Sequence, residues 1–167
     1  MNQLNEKGLE KYPALGIFLE NFALILWIIF GFISCWFLYP VVAWIYLAFA
    51  VIMIVFVLRK LLCTNCYYYD KWCHVGWGKL AALFFKKGNI EKFNSGLGQK
   101  IVPFTYGLLA LVPLIFIIIT LIQDFSVFKI VVLVLFLISA FLSSVTLRKN
   151  SCSKCKMRYC CKGCAVK

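Results

Sequence analysis

The sequence predicts an all-α membrane protein. Four transmembrane helices form two parallel-repeat helical hairpins, each followed by a cytoplasmic cysteine module, with one amphipathic interfacial helix between them. Three observations carry this prediction. The chain is 63% hydrophobic and 14% charged over 167 residues, whereas soluble domains are roughly 45–50% apolar. Its apolar residues gather into four runs, each near the roughly 20 residues of helix that cross about 30 Å of hydrocarbon. The pattern Leu-Arg-Lys-x-x-Cys-x-x-Cys occurs twice, from Leu58 and again from Leu147, at an offset of 89.

The elements follow in chain order. Residues 1–21 read as a cytoplasmic N-terminal segment in which Glu6 and Glu10 offset Lys7 and Lys11. The first span covers 22–39, with apolar character reaching back toward Ala14. It is span-length, begins late and lacks a small-x-small cleavage pattern, so no signal peptide is expected. The second span, 41–58, completes hairpin 1 (22–58). Between them the turn Tyr39-Pro40 carries no charge, and Trp36, Tyr39, Trp44 and Tyr46 gather there as interfacial aromatic residues do. Residues 59–100 form a polar insert. Spans of about 101–121 and 125–146 make hairpin 2 (101–146), joined at Gln123-Asp124. Pro113 removes one backbone donor from the third span, which membrane helices tolerate when a neighbour satisfies the freed carbonyl. Residues 147–167 are the tail.

Orientation follows from the basic residues. Arg59, Lys60, Lys71, Lys79, Lys86, Lys87, Lys92 and Lys100 crowd the insert, and Arg148, Lys149, Lys154, Lys156, Arg158, Lys162 and Lys167 crowd the tail. The positive-inside rule places both termini and the insert in the cytoplasm. The net charge of +12 is thereby assigned to topology. No nucleic-acid partner is expected, because a binding domain would spread its cations along one solvated face. An even number of spans per copy makes the repeat parallel, about an axis along the membrane normal, and brings both cysteine modules to one surface.

Within the insert, GWGKLAALFFKKGN puts Trp77, Leu80, Ala81 and Phe84 on one helical face, with Lys79, Lys86 and Lys87 able to reach headgroups. This is the pattern of an interfacial helix on an anionic lipid surface. The competing reading is a helix packed on the cysteine modules.

Of nine cysteines, Cys35 lies within the first span and reads as a small buried apolar residue. The others, Cys63, Cys66, Cys73, Cys152, Cys155, Cys160, Cys161 and Cys164, fall on the expected cytoplasmic side, where a reducing medium disfavours disulfides. Cys-x-x-Cys lets two thiolates converge on one ion, and structural zinc takes four such ligands. The tail supplies Cys152, Cys155, Cys161 and Cys164, with Cys160 able to replace Cys161. The insert supplies Cys63, Cys66 and Cys73, with His74 as a candidate fourth ligand against its being an ordinary surface residue. Three thiols plus five also allow two four-cysteine sites with at least one shared between the halves.

Zinc, Zn2+, is the first expectation, in a structural or sensing role within a scaffold or interaction protein. An iron-sulfur electron-transfer component is the alternative, although the run C-x2-C-x2-C-x3-C-P is absent. Soft-metal transport through an oligomer is a further alternative. Redox thiols beside Lys154, Lys156 and Arg158 are a weaker reading, since a redox pair needs fewer cysteines. Palmitoylation is weaker too, because acylation asks for no partner thiol. Expected partners are the bilayer and its anionic headgroups, with a homo-oligomer or membrane-complex partner as a further candidate. No enzyme constellation is found: Asp70 and His74 at i, i+4 lack a placed nucleophile, and NSGLGQK lacks P-loop spacing. Glu20 is the one acidic candidate in a span, expected to snorkel or pair with a lysine. Asn21, Ser139, Ser143 and Ser144 are candidates for helix-to-helix bonds.

Overall fold

Pro13 sets the start of the first helix. It lies in extended conformation at φ −68° and ψ 145°, and α1 (Ala14–Trp36) begins immediately after it. In the computed structural model, which describes residues 4–166, this start lies ahead of residue 22. The early turns are apolar, and Glu20, the acidic residue among them, is buried beside partners rather than left in solvent. Residues 1–3 of the expected N-terminal segment and Lys167 of the basic tail lie outside the described residues.

Pro40 occupies the first position of α2 (Pro40–Val51), where its missing N–H costs no helical bond. The helix continues through one π-helical turn, Ile52–Val57, into α3 (Leu58–Leu61) and a 3-10 turn at Cys63–Asn65. The insert holds α4 (Trp77–Phe84) and α5 (Lys92–Ser95). Then follow α6 (Gly98–Gln123), α7 (Val127–Phe141), a second π-helical turn at Leu142–Leu147 and α8 (Arg148–Ser153). Among the described residues four helical stretches are long and apolar enough to cross a membrane: Ala14–Trp36, Pro40–Asn65, Lys92–Gln123, which is interrupted at Gly96 between α5 and α6, and Val127–Ser153. Among the described residues there is no β-strand, only one isolated bridge between Leu9 and Cys155.

The two π turns sit at 52–57 and 142–147, within one residue of the register of the repeated motif. A π turn accommodates one extra residue and is rare in ordinary helices. Each immediately precedes a basic stop, Arg59-Lys60 or Arg148-Lys149.

Helix α1 is the packing centre, touching α2, α6 and α7. Leu24, Trp27, Cys35, Ala43, Ala50, Ile54, Leu109 and Phe136 form the core. Cys35 is fully buried, as a small apolar residue would be. At the turn end Phe37 and Phe128 meet with centroids 5.9 Å apart, which draws the two connections together. Large apolar side chains such as Leu15, Val41, Ile122 and Phe128 remain exposed, the surface a lipid-facing bundle presents.

Pro113 in α6 lacks the N–H that would bond the Leu109 carbonyl. The Tyr46 hydroxyl of α2 donates to that carbonyl at 3.2 Å. The neighbouring helix therefore satisfies the freed acceptor. The serines behave differently from expectation: Ser139 and Ser144 donate to Phe136 and Ala140 of their own helix. A serine hydroxyl reaches the preceding turn more easily than a neighbouring helix.

Candidate metal centre

All three Cys-x-x-Cys segments fold into the same turn. The amide of the second cysteine donates to the carbonyl of the first, Cys66 to Cys63 at 3.3 Å, Cys155 to Cys152 at 3.2 Å and Cys164 to Cys161 at 3.2 Å. In the insert, Thr64 Oγ1 and Asn65 Nδ2 donate to the carbonyls of Lys60 and Leu61 at 2.6 and 3.0 Å. Those bonds satisfy acceptors that the end of α3 would leave open.

Backbone amides also point at sulfur two residues back: Tyr68 N–H at Cys66, Met157 N–H at Cys155 and Gly163 N–H at Cys161. Donors aimed at sulfur favour the thiolate, the form that ligates metal. Burial works against them. It pushes the Cys66 and Cys161 thiols upward and the Cys155 thiol up to about 11, with neighbouring cysteines adding to each rise.

The turns face one chamber. Cys63, Cys66, Cys73, Cys152, Cys155, Cys161 and Cys164 all line a cavity of about 320 Å³, together with His74, Arg148 and Arg158. Trp27, Tyr68, Phe93 and Tyr106 contribute aromatic wall. Cys155 of the tail lies close enough for its charge to disfavour ionisation of Cys66 in the insert. Cys160 instead packs with Phe93 and Met157 in an apolar cluster, so Cys161 is the neighbour that faces the chamber. Cys63, Cys66, Cys73, Cys152, Cys155, Cys161 and Cys164 are unbridged thiols. Among the described residues no three Cys, His, Asp or Glu side chains stand close enough together to enclose an ion. The donor set suits a thiophilic metal in its chemistry, and its sulfurs would have to close inward to grip one.

His74 Nε2 lies 3.9 Å from Glu20 Oε2, and the Ser151 hydroxyl donates to the other Glu20 oxygen. Desolvation, with Arg148 nearby, lowers the His74 imidazole below its ordinary value. Glu20 thus pairs with a tail serine and a histidine rather than a lysine, because α8 ends beside α1. Asn21 ties α1 to the insert: its Nδ2 donates to the Val75 carbonyl at 3.0 Å and its Oδ1 accepts from Trp77 Nε1 at 3.1 Å.

Two further elements brace the chamber. The N-terminal segment runs along the tail, with Asn5 N–H donating to Lys156 O and Leu9 N–H to Lys154 O, both at 2.9 Å. Tyr68 of the insert joins this strap to the tail. Its hydroxyl donates to Leu9 O at 2.6 Å and accepts the Lys156 N–H at 3.0 Å. From α5, the Asn94 amide donates to the Cys160 carbonyl, and its Oδ1 accepts the Lys162 N–H at 3.1 Å. Tyr68, Asn94 and the strap carry no sequence signal of their own. They are isolated polar residues whose partners lie far away in the chain.

Helix α4 differs from its expected form. It ends at Phe84 because Tyr69 donates to Phe85 O at 2.7 Å and Gly88 N–H donates to Thr64 O at 2.9 Å. Lys86 and Lys87 therefore lie in irregular chain beyond it, after the extended Phe85. Gly78 and Ala81 are its buried residues, while Leu80, Leu83 and Phe84 are exposed and Lys79 extends outward. Comparison with protein-family models, curated proteins and solved structures finds no match.

Proposed function

We propose that this chain is a membrane protein that binds metal through the thiolates of its cysteine-bearing end, with zinc in a structural or sensing role. The observation that supports it most is the shared chamber, into which three like-folded Cys-x-x-Cys turns of the insert and tail bring six thiols and Cys73 a seventh. Cys152, Cys155, Cys161 and Cys164 would form one four-thiolate set. Cys63, Cys66 and Cys73 would form the other, completed by His74, or by a tail thiol if the tail turn brings Cys160 inward to take its place in the first set. A set that takes a tail thiol would make the zinc a cross-link between insert and tail. Because the sulfurs must close inward, binding is coupled to ordering of both segments. The Lys and Arg residues at this end support a cytoplasmic location.

The test is elemental analysis of full-length protein purified anaerobically with its thiols reduced. One or two zinc ions per chain are expected, and protein with intact thiols and no zinc would overturn the reading. A second reading rests on the size and walls of the chamber, which exceed the needs of one ion and would shield an iron-sulfur cluster. It requires iron and acid-labile sulfide in the same preparation. Colourless, iron-free protein excludes it.

A further inference from the structure

Arg59 is 7% exposed, and its Nε has no hydrogen-bond partner among the described residues. No carboxylate among those residues pairs with it. Its guanidinium lies 4.8 Å over the Trp77 ring, a contact that steadies a cation without neutralising it. A buried charge left unpaired is costly, and the cost is relieved by a counter-ion.

Arg59 lines an open groove of about 790 Å³ together with Trp72, Lys79, Ile17, Leu80 and Leu83. Asp70 also lines it, and Lys79 holds that carboxylate at 3.1 Å. Arg59 thus remains the uncompensated charge. The groove opens where the second span ends and α4 begins, and Leu80 and Leu83 are 39% and 76% exposed. A cation set behind an apolar rim at the end of a membrane span matches a lipid with a charged head and apolar tail.

We propose that this groove seats the phosphodiester of an anionic phospholipid. The Arg59 guanidinium forks onto two phosphate oxygens, the geometry arginine favours with phosphate. Lys79 stands beside it, and an acyl chain leaves along Ile17, Leu80 and Leu83. The groove's volume falls within the range of small-ligand sites. This inference rests on the membrane spans and α4, and not on metal binding. Thiolates at Cys63 and Cys73, whose charge Arg59 would also feel, are the competing anion.

The experiment uses full-length protein in mild detergent with phosphatidylglycerol and phosphatidylcholine at equal mole fraction. Retained lipid is read by native mass spectrometry, and zinc content is measured on the same samples. Wild type is expected to retain phosphatidylglycerol selectively. Arg59→Gln should lose about tenfold or more of that retention with zinc unchanged, and exposed Lys79→Gln roughly twofold. Equal retention of both lipids by wild type would overturn the site, as would unchanged retention by folded Arg59→Gln. Loss of zinc with lipid retained would assign Arg59 to the thiolates, and thermal stabilisation by millimolar inorganic phosphate but not by the lipid would make the occupant a free anion. Either result overturns the proposal. Should Arg59→Gln fail to fold, wild-type selectivity together with Lys79→Gln decides it.

Discussion

Arg59 and Arg148 stand at the same step of a repeated motif, yet they meet different surroundings. Arg59 lies over Trp77 and faces the outer groove. Arg148 lines the cysteine chamber and donates to Gly163 O at 2.7 Å. The same divergence runs through the segments that follow. The insert contributes three thiols and the braces Tyr68 and Asn94, whereas the tail contributes five thiols and is held at several places by other segments. Like local sequence fixes like local turns, and the divergent residues beyond decide what each turn is used for.

If the chamber is shared, that difference disappears at the metal. Cys66→Ser and Cys155→Ser should each remove at least one whole ion per chain, measured by elemental analysis. The loss is the largest effect expected, since structural zinc in small peptides is worth on the order of 10 kcal/mol. Loss with Cys155→Ser alone would show that the tail binds by itself.

Two glycine variants sharpen the contrast in rigidity. A Cβ on Gly78 would meet backbone, including Lys71 O at 2.6 Å, whereas one on Gly163 would first meet the Gln99 side chain at 3.0 Å. Gly78→Ala should therefore cost about 3 kcal/mol and Gly163→Ala within about 1.5 kcal/mol in denaturation by sodium dodecyl sulfate. Equal costs would mean that the tail is as tightly framed as the insert. Tyr68→Phe removes one bond in each direction between strap, insert and tail. A loss of about 1–3 kcal/mol is expected in the same titration, with faster proteolysis of the strap.

The smallest effect is electrostatic. Lys156 first, then Lys71, hold the Glu10 carboxyl below its ordinary 4.5. A lowered carboxylate contributes above its unfolded value and loses that contribution as pH falls through the folded one. Strap proteolysis should therefore rise modestly from pH 7 to about pH 3.5, and less so in Glu10→Gln.

The spans and the turns at Cys63, Cys152 and Cys161 were legible in the sequence because both are local patterns: apolar run length for the former and two thiols at fixed spacing for the latter. The earlier start of α1 was only partly visible, since Glu20 breaks the apolar run and its partners Ser151 and His74 are remote. The end of α4 was hidden for a similar reason, being set by Tyr69 and Thr64 rather than by a breaker. The choice of Cys161 over Cys160 depends on which side of one turn packs against Phe93 and Met157. Arg59 read as one more basic residue, and only its burial beside Trp77 sets it apart from Lys60.

The strap has a consequence in time. Asn5 and Cys155, which it brings together, are 150 residues apart. At 5–20 residues per second, the tail emerges from the ribosome roughly 8–30 s after the strap. During that delay the insert's thiols wait without the segment that completes their enclosure, and the strap has no tail to lie against. Docking of the strap therefore has to await synthesis of the tail turn, and a chain truncated before Lys154 would leave Tyr68 and Leu9 without those partners.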